Sequence, residues 1–202
     1  RLAQWQPRTS GGAQQPHPLN APIYFGRVEI ITKVWGYRKH HVKTQRIFDT
    51  VPVSLPPISY ASVGFWVDLA SELRLHVESS GYDFLGSIHG ANHAVLACIP
   101  LLVASEKQDT GCECPSVYQI RARPLRLVIF DAHPGGIGVA ERVFSQAGEL
   151  LRSARDLVKQ CKCQLQTGCP SCVLDTNCRE HNDVMDKRGA LMVLESVCSS
   201  IG

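Results

Sequence analysis

Hydrophobic positions change their spacing along this chain, alternating near its start and recurring every three or four residues towards its end. Residues 23–35 (IYFGRVEIITKVW) are β-branched and roughly alternating. They predict a long strand with Tyr24, Val28, Ile30 and Thr32 on one face and Phe25, Arg27, Glu29, Ile31 and Lys33 on the other. Shorter strands are expected near residues 48–55 and 59–69, where Pro52, Pro56 and Pro57 confine pairing to edges or strand ends. In residues 83–104 the pattern becomes helical: Phe84, Leu85, Ile88, Ala91, Val95, Ile99 and Leu102 form one stripe, which Pro100 bends or ends. Residues 123–132 (RPLRLVIFDA) have the continuous apolar character of a buried strand. Beyond HPGGIG, an amphipathic helix is predicted over residues 137–159, carried by Val139, Val143, Ala147, Leu150, Ala154, Leu157 and Val158. A last helix is expected over 186–198. Residues 1–20, rich in Gln, Pro, Gly and Ser, lack an apolar period and predict a flexible linker ahead of one domain over 21–202. The class is α+β, with mostly antiparallel strands first, helices after them, and a cysteine run between the last two helices.

Composition adds a bound and a question. At 202 residues and 44% hydrophobic, the chain is long enough for a sizeable core. Its 21 basic residues against 18 acids say little about partners unless they cluster. The apolar run over residues 93–104 is short for a bilayer and is interrupted by Pro100, so no membrane association is expected. A chain opening on arginine and a linker has the look of an excised fragment. Nine cysteines pose the question, because five of them fall within residues 161–178. Closely spaced pairs suit metal ligation in a reducing compartment better than disulfides between distant segments, which predicts an intracellular protein.

The chemistry concentrates in Cys161-Lys-Cys163, then Gly168-Cys169-Pro170-Ser171-Cys172, then Cys178. Zinc takes four soft ligands in a tetrahedron, and thiolates on tight turns provide them. Five cysteines compete for four places, leaving either Cys161 or Cys178 spare. An all-thiolate shell has no open position, so the zinc subsite at 161–178 is structural. Cys112-Glu-Cys114 could donate a ligand or be a pair of loop thiols. Cys98 and Cys198 lie on apolar helical faces and belong to the core.

His89 and His93 stand one helical turn apart, as in zinc proteases. Gly90 occupies the place of that motif's catalytic Glu, so the histidines are expected to pack the helix and bond to neighbouring groups. The loop from Asp131 to Gly138 joins a strand to a helix and lacks the Lys-Ser/Thr of a phosphate-binding P-loop, which predicts a tight turn. A candidate nucleic-acid surface lies in Lys33, Arg38, Lys39, Lys43 and Arg46, with His40, His41, Trp35 and Tyr37 interleaved and no acid between. Arg121, Arg123 and Arg126 form a looser cluster.

Together these segments resemble the C-terminal zinc-binding domain of MrfA-type superfamily-two DNA helicases, a group that includes RecQ-four-like helicases. The resemblance runs from Val34-Trp35-Gly36-Tyr37-Arg38-Lys39 through the His89/His93 helix and FDAHPGGIGVAERVF. It continues into CKCQLQTGCPSCVLDTNC and Asn182, Asp186, Lys187 and Ala190. It implies a structural Zn2+ domain attached to an ATP-driven 3′–5′ DNA helicase of DNA repair, nuclear in a eukaryote. Such a domain braces the motor of the same polypeptide and contacts DNA, single-stranded or forked. No Walker motif occurs in this sequence, so the fragment itself is expected to hydrolyse no ATP. The rival expectation is a stand-alone zinc module that binds another protein. A thiol-redox enzyme fits less well, because Cys169 and Cys172 follow a helix and a polar loop, whereas redox pairs usually open a helix after a strand.

Overall fold

The structure, a computed structural model, describes residues 2–9, 13–15, 21–44, 46–115, 121–178, 180 and 182–199, with side chains described for all of these but 2–9, 13–15 and 35. Its elements in chain order are β1 (Leu2–Thr9), β2 (Ala13–Gln15), β3 (Ile23–His40), β4 (Ile47–Pro52), β5 (Ile58–Asp68), α1 (Ser71–Ser79) and α2 (Phe84–Leu102). After these come β6 (Thr110–Cys112), β7 (Arg126–Asp131), α3 (Val139–Phe144), α4 (Ala147–Gln160) and α5 (Lys187–Cys198). The α+β class follows, with β1 to β5 ahead of the first helix, β6 and β7 between α2 and α3, and the cysteine run between α4 and α5.

The strands form one antiparallel sheet in the order β1-β3-β5-β7-β6, with β2 and β4 also on β3. β3 is the spine: its 18 residues span roughly 60 Å at strand rise. Gly36 pairs with Leu2 on one side and Pro52 on the other, so β4 continues the edge that β5 occupies lower down. Past Thr32, β3 leaves β5 and runs on between β1 and β4 as an arm. Alternation sorts the sheet's faces. Ile23, Phe65, Val67, Leu127 and Ile129 face the helices. Val28, Ile30, Trp66, Val128 and Phe130, with Tyr24 and Tyr60, form a smaller cluster on the other face.

Three expectations change. Residues 2–9 and 13–15 are strands on the edge of β3 and not linker. Ladder bonds come from the backbone and need no apolar period, and Pro7 fits because β1 is an edge strand. The rest of 1–20 lies outside the described residues. The helix predicted over 137–159 is two helices, broken at Ser145 and Gln146; both halves bury their stripe in one core, so the periodicity runs across the break. Helix α1 was not expected at all, although Leu69, Leu73 and Val77, each buried, carry its spacing.

Helix α2 is the centre of the helical layer. Its 19 residues are long and apolar enough to cross a membrane by composition, further than the run over 93–104 suggested, yet 67% of the stretch is buried within the protein. Pro100 falls in its last turn. Asp83 caps the helix, accepting from Gly86 N at 2.5 Å. Asp186 caps α5 by accepting from Gly189 N at 2.9 Å, and also accepts from Asp83 N at 3.3 Å, so the two helix starts are tied together. A Cβ on Gly90 would stand 2.9 Å from the Ala190 methyl; the missing side chain is what lets α2 and α5 close.

Candidate metal centres

The first centre is built on the turn that follows α4. Cys161 is the residue directly after that helix, and Cys163 lies two further on in extended chain. Gly168 then turns the backbone at φ +83, where a Cβ would collide with the Val173 side chain. The Cys172 N–H donates to Cys169 O at 2.9 Å, closing the knuckle, and the Cys169 N–H donates to Cys172 Sγ at 3.2 Å. Sulfur separations are 3.6 Å for Cys161–Cys169, 3.8 Å for Cys163–Cys172 and 3.7 Å for Cys169–Cys172. A tetrahedron with Zn–S bonds of about 2.3 Å sets its sulfurs about 3.8 Å apart, so the donor set fits zinc.

Lys187, the first residue of α5, serves this centre from behind. Its ammonium donates to Cys161 O and Cys163 O, both at 2.8 Å, and to Cys163 Sγ at 3.3 Å. Burial acts to raise the Cys163 pKa, but Lys187 and the neighbouring thiols outweigh it and draw the group down to about 7. Cys172, buried and beside thiols that compete for ionisation, is pushed up to about 12.

Cys178 is not in this group. It lies in a second one with His89, His93 and Cys114, whose ligand atoms all fall within 4.8 Å of one another. The histidines come from α2, Cys114 from the chain after β6, and Cys178 from the loop before α5. His89 Nδ1 donates to Val184 O and His93 Nδ1 to Val173 O, each at 2.8 Å, since a carbonyl can only accept. Both Nε2 atoms therefore turn to sulfur: His89 to Cys178 at 3.3 Å and His93 to Cys114 at 3.5 Å, with the two sulfurs 4.0 Å apart. Burial acts to lower the pKa of His93, but Cys114 and Cys178 outweigh it and hold it at about 10. Cys114 is anchored through its neighbour Glu113, whose carbonyl accepts from Asn92 Nδ2 at 2.8 Å and whose carboxylate pairs with Arg121 at 2.6 Å.

The expectation that His89 and His93 pack the helix and bond to neighbouring groups holds for their Nδ1 atoms, which bond to backbone; their Nε2 atoms converge instead on thiols. The signal was in the sequence. One cysteine too many at 161–178, one loop cysteine and two histidines a turn apart add up to a second set of four.

The basic stretch is exposed on the arm, and the fold alters its charge. Arg38 pairs with Asp183 at 3.4 Å and Lys39 with Asp49 at 2.8 Å, acids that the sequence window did not contain. Lys33, Lys43 and Arg46 are exposed, as are Tyr37 and Phe48, and Phe48 lies 4.7 Å from His41. In the looser cluster Arg126 binds Asp68 through two bonds, 2.5 and 2.8 Å, and stacks 5.2 Å from the Trp66 ring. The glycine loop is a tight turn: the Asp131 carboxylate accepts from the N–H groups of Ile137, Gly138 and Ala140, each at 2.7 Å. It fills the place where a phosphate would bind, with a charge that would repel one.

Comparison with known proteins agrees with a zinc site. Residues 91–173 match the family described as the MrfA Zn-binding domain. The chain is 28% identical over 187 residues to the ATP-dependent helicase HRQ1 of Saccharomyces cerevisiae, covering 88% of this chain and 17% of that protein. It is 28% identical over 114 residues to an uncharacterized protein of Methanocaldococcus jannaschii, covering 55% of this chain and 100% of that protein. Among solved structures, the helicase MrfA bound to DNA superposes with a TM-score of 0.61 at 19% identity, covering 96% of this chain and 24% of that one. The MrfA complex with DNA and AMPPNP gives 0.51 at 19% identity, covering 88% and 22%. The chain thus spans about a sixth of the length of the curated helicase it matches. Structural Zn2+ is the cofactor that the family match and the donor sets support.

Proposed function

We propose that this chain, which carries a helicase-type zinc-binding domain of the MrfA family over residues 91–173, is the zinc-braced accessory part of an ATP-dependent DNA helicase. The observation that carries the reading is the four-cysteine centre, Cys161, Cys163, Cys169 and Cys172, at tetrahedral spacing inside the matched segment. Zinc there is structural: four thiolates leave no position for substrate, and the ion fixes the turn between α4 and α5. Motor and ATP site belong to other parts of the polypeptide, so the purified chain hydrolyses no ATP. For the whole protein we infer a 3′–5′ helicase of DNA repair, nuclear in a eukaryote, whose motor this domain braces.

DNA contact falls to the arm. Lys33, Lys43 and Arg46 offer charge to phosphates, and exposed Tyr37 and Phe48 offer rings on which unpaired bases of a single-stranded or forked DNA stack. Arg38 and Lys39, already paired to Asp183 and Asp49, contribute less. The test is affinity for single-stranded DNA across a salt series. Replacing Lys43 and Arg46 with Ala should lower the salt slope by about 1.4, roughly 0.7 for each lost phosphate contact on a single strand. An unchanged slope and affinity would sink the DNA role of the arm. A second reading draws on the archaeal protein whose whole length the chain matches. A protein of about that length has no room for a helicase motor, which suits a stand-alone zinc module that binds another protein; DNA affinity independent of salt favours it.

A further inference from the structure

We propose that His89, His93, Cys114 and Cys178 hold a second structural zinc ion, independent of the four-cysteine centre. The family match ends at residue 173 and begins at 91, so it contains only His93 and Cys114 of this set.

Both histidines are already committed on one side. Each Nδ1 donates to a backbone carbonyl, which turns Nε2 towards the thiols, where a bound metal would take the place of its proton. That arrangement, a carbonyl behind the ring and a free nitrogen in front, is how imidazoles are held for a metal. Tetrahedral zinc with bonds of about 2.3 Å to sulfur and 2.0 Å to nitrogen needs S···N near 3.5 Å and S···S near 3.8 Å. The observed values are 3.3 and 3.5 Å for sulfur to nitrogen, and 4.0 Å for sulfur to sulfur. The Asn182 N–H points at Cys178 Sγ from 3.3 Å, supporting a thiolate, and Asn182 itself sits at φ 56 to do so. Its side chain locks the loop by donating to Asp175 O at 2.8 Å and accepting from Asp175 N at 3.0 Å.

Charge explains why this site is the buried one. Zn2+ with two thiolates and two neutral imidazoles sums to zero, so it is cheap to bury, and His89, His93 and Cys178 are 0%, 3% and 8% exposed. Zn2+ with four thiolates sums to minus two, and that centre is half-exposed with a lysine against it. Two nitrogens and two sulfurs in a tetrahedron select zinc over the hard oxygen-seeking cations. Four protein ligands close the shell, so this ion does no catalysis. It clamps the middle of α2 to the chain after β6 and to the loop before α5, segments that share no backbone ladder among the described residues. Cys112 lies 3.8 Å from Cys114 but belongs to the core and is left out of the shell.

The experiment is zinc analysis of the whole chain, with the thiols that become reactive on chelation counted in parallel. Two zinc ions and six released thiols per chain are expected, with Cys112→Ser unchanged. In cobalt-substituted protein, the spectrum should be the sum of an all-thiolate and a mixed thiolate–imidazole centre, and Cys114→Ser should remove the second component. One metal with four released thiols and a purely all-thiolate spectrum overturns this inference and leaves the four-cysteine centre standing. One metal with two released thiols keeps this inference and removes the four-cysteine centre instead. The cobalt spectrum of the unmutated chain decides the matter even if Cys114→Ser fails to fold.

Discussion

At the residue scale, Lys187 does for the first centre what no thiolate can. An all-thiolate zinc site carries surplus negative charge, and one ammonium is set against it while also bonding to the carbonyls of Cys161 and Cys163. Replacing it with Met keeps the side-chain volume and removes those bonds. Lys187→Met should weaken zinc retention by about 10–100-fold, the usual effect of losing a partner that orients a ligand. Competition against a chromophoric chelator measures it, and retention equal to the parent's would show that the ammonium is irrelevant. The sequence made Cys161, Cys163, Cys169 and Cys172 visible because their spacing along the chain is also their spacing in space. The partners of Cys178 were harder to see: they lie 64 and 89 residues away, and only the packing of α2 on α5 brings them near.

Elements are held by contacts that tolerate little change. Where α2 meets α5, Gly90 faces Ala190 with no space for a side chain. Gly90→Leu should lower the melting temperature by roughly 4–10 °C, since overpacking a tight interface costs about 1–3 kcal/mol and each kcal/mol is worth a few degrees in a chain of this size. A thermal melt by circular dichroism checks this, and an unchanged midpoint would mean that the helices are not closed here. At the other end of the helical layer, Asp131 is fully buried and answers three backbone donors at the start of α3. Asp131→Ala leaves them unmet and should cost about 2–4 kcal/mol, read as a lower urea midpoint; full stability in that variant contradicts the role. Long, strongly patterned elements such as β3, α2 and α5 were legible from periodicity alone. The N-terminal strands were not, because their pairing is written in backbone hydrogen bonds. Nor was the break between α3 and α4, because both helices bury the same stripe.

Over the whole molecule, a sheet with a long basic arm is joined to a helical layer, and the cysteine and histidine donors gather where α2, α4 and α5 meet. The metal centres hold in place loops that have few ladder bonds of their own, and this lets the arm stand on a rigid base. For function, the sequence disclosed the donor types and the basic stretch. It could not disclose that Asp49 and Asp183 quench part of that charge, since neither acid lies in the window that carries it. Everything at this scale depends on zinc at Cys161, Cys163, Cys169 and Cys172. The most direct test is diffraction from crystals of the chain, collected on either side of the zinc absorption edge. An anomalous peak is expected about 2.3 Å from each of those four sulfurs. No peak there, or sulfurs joined in disulfides, would contradict it.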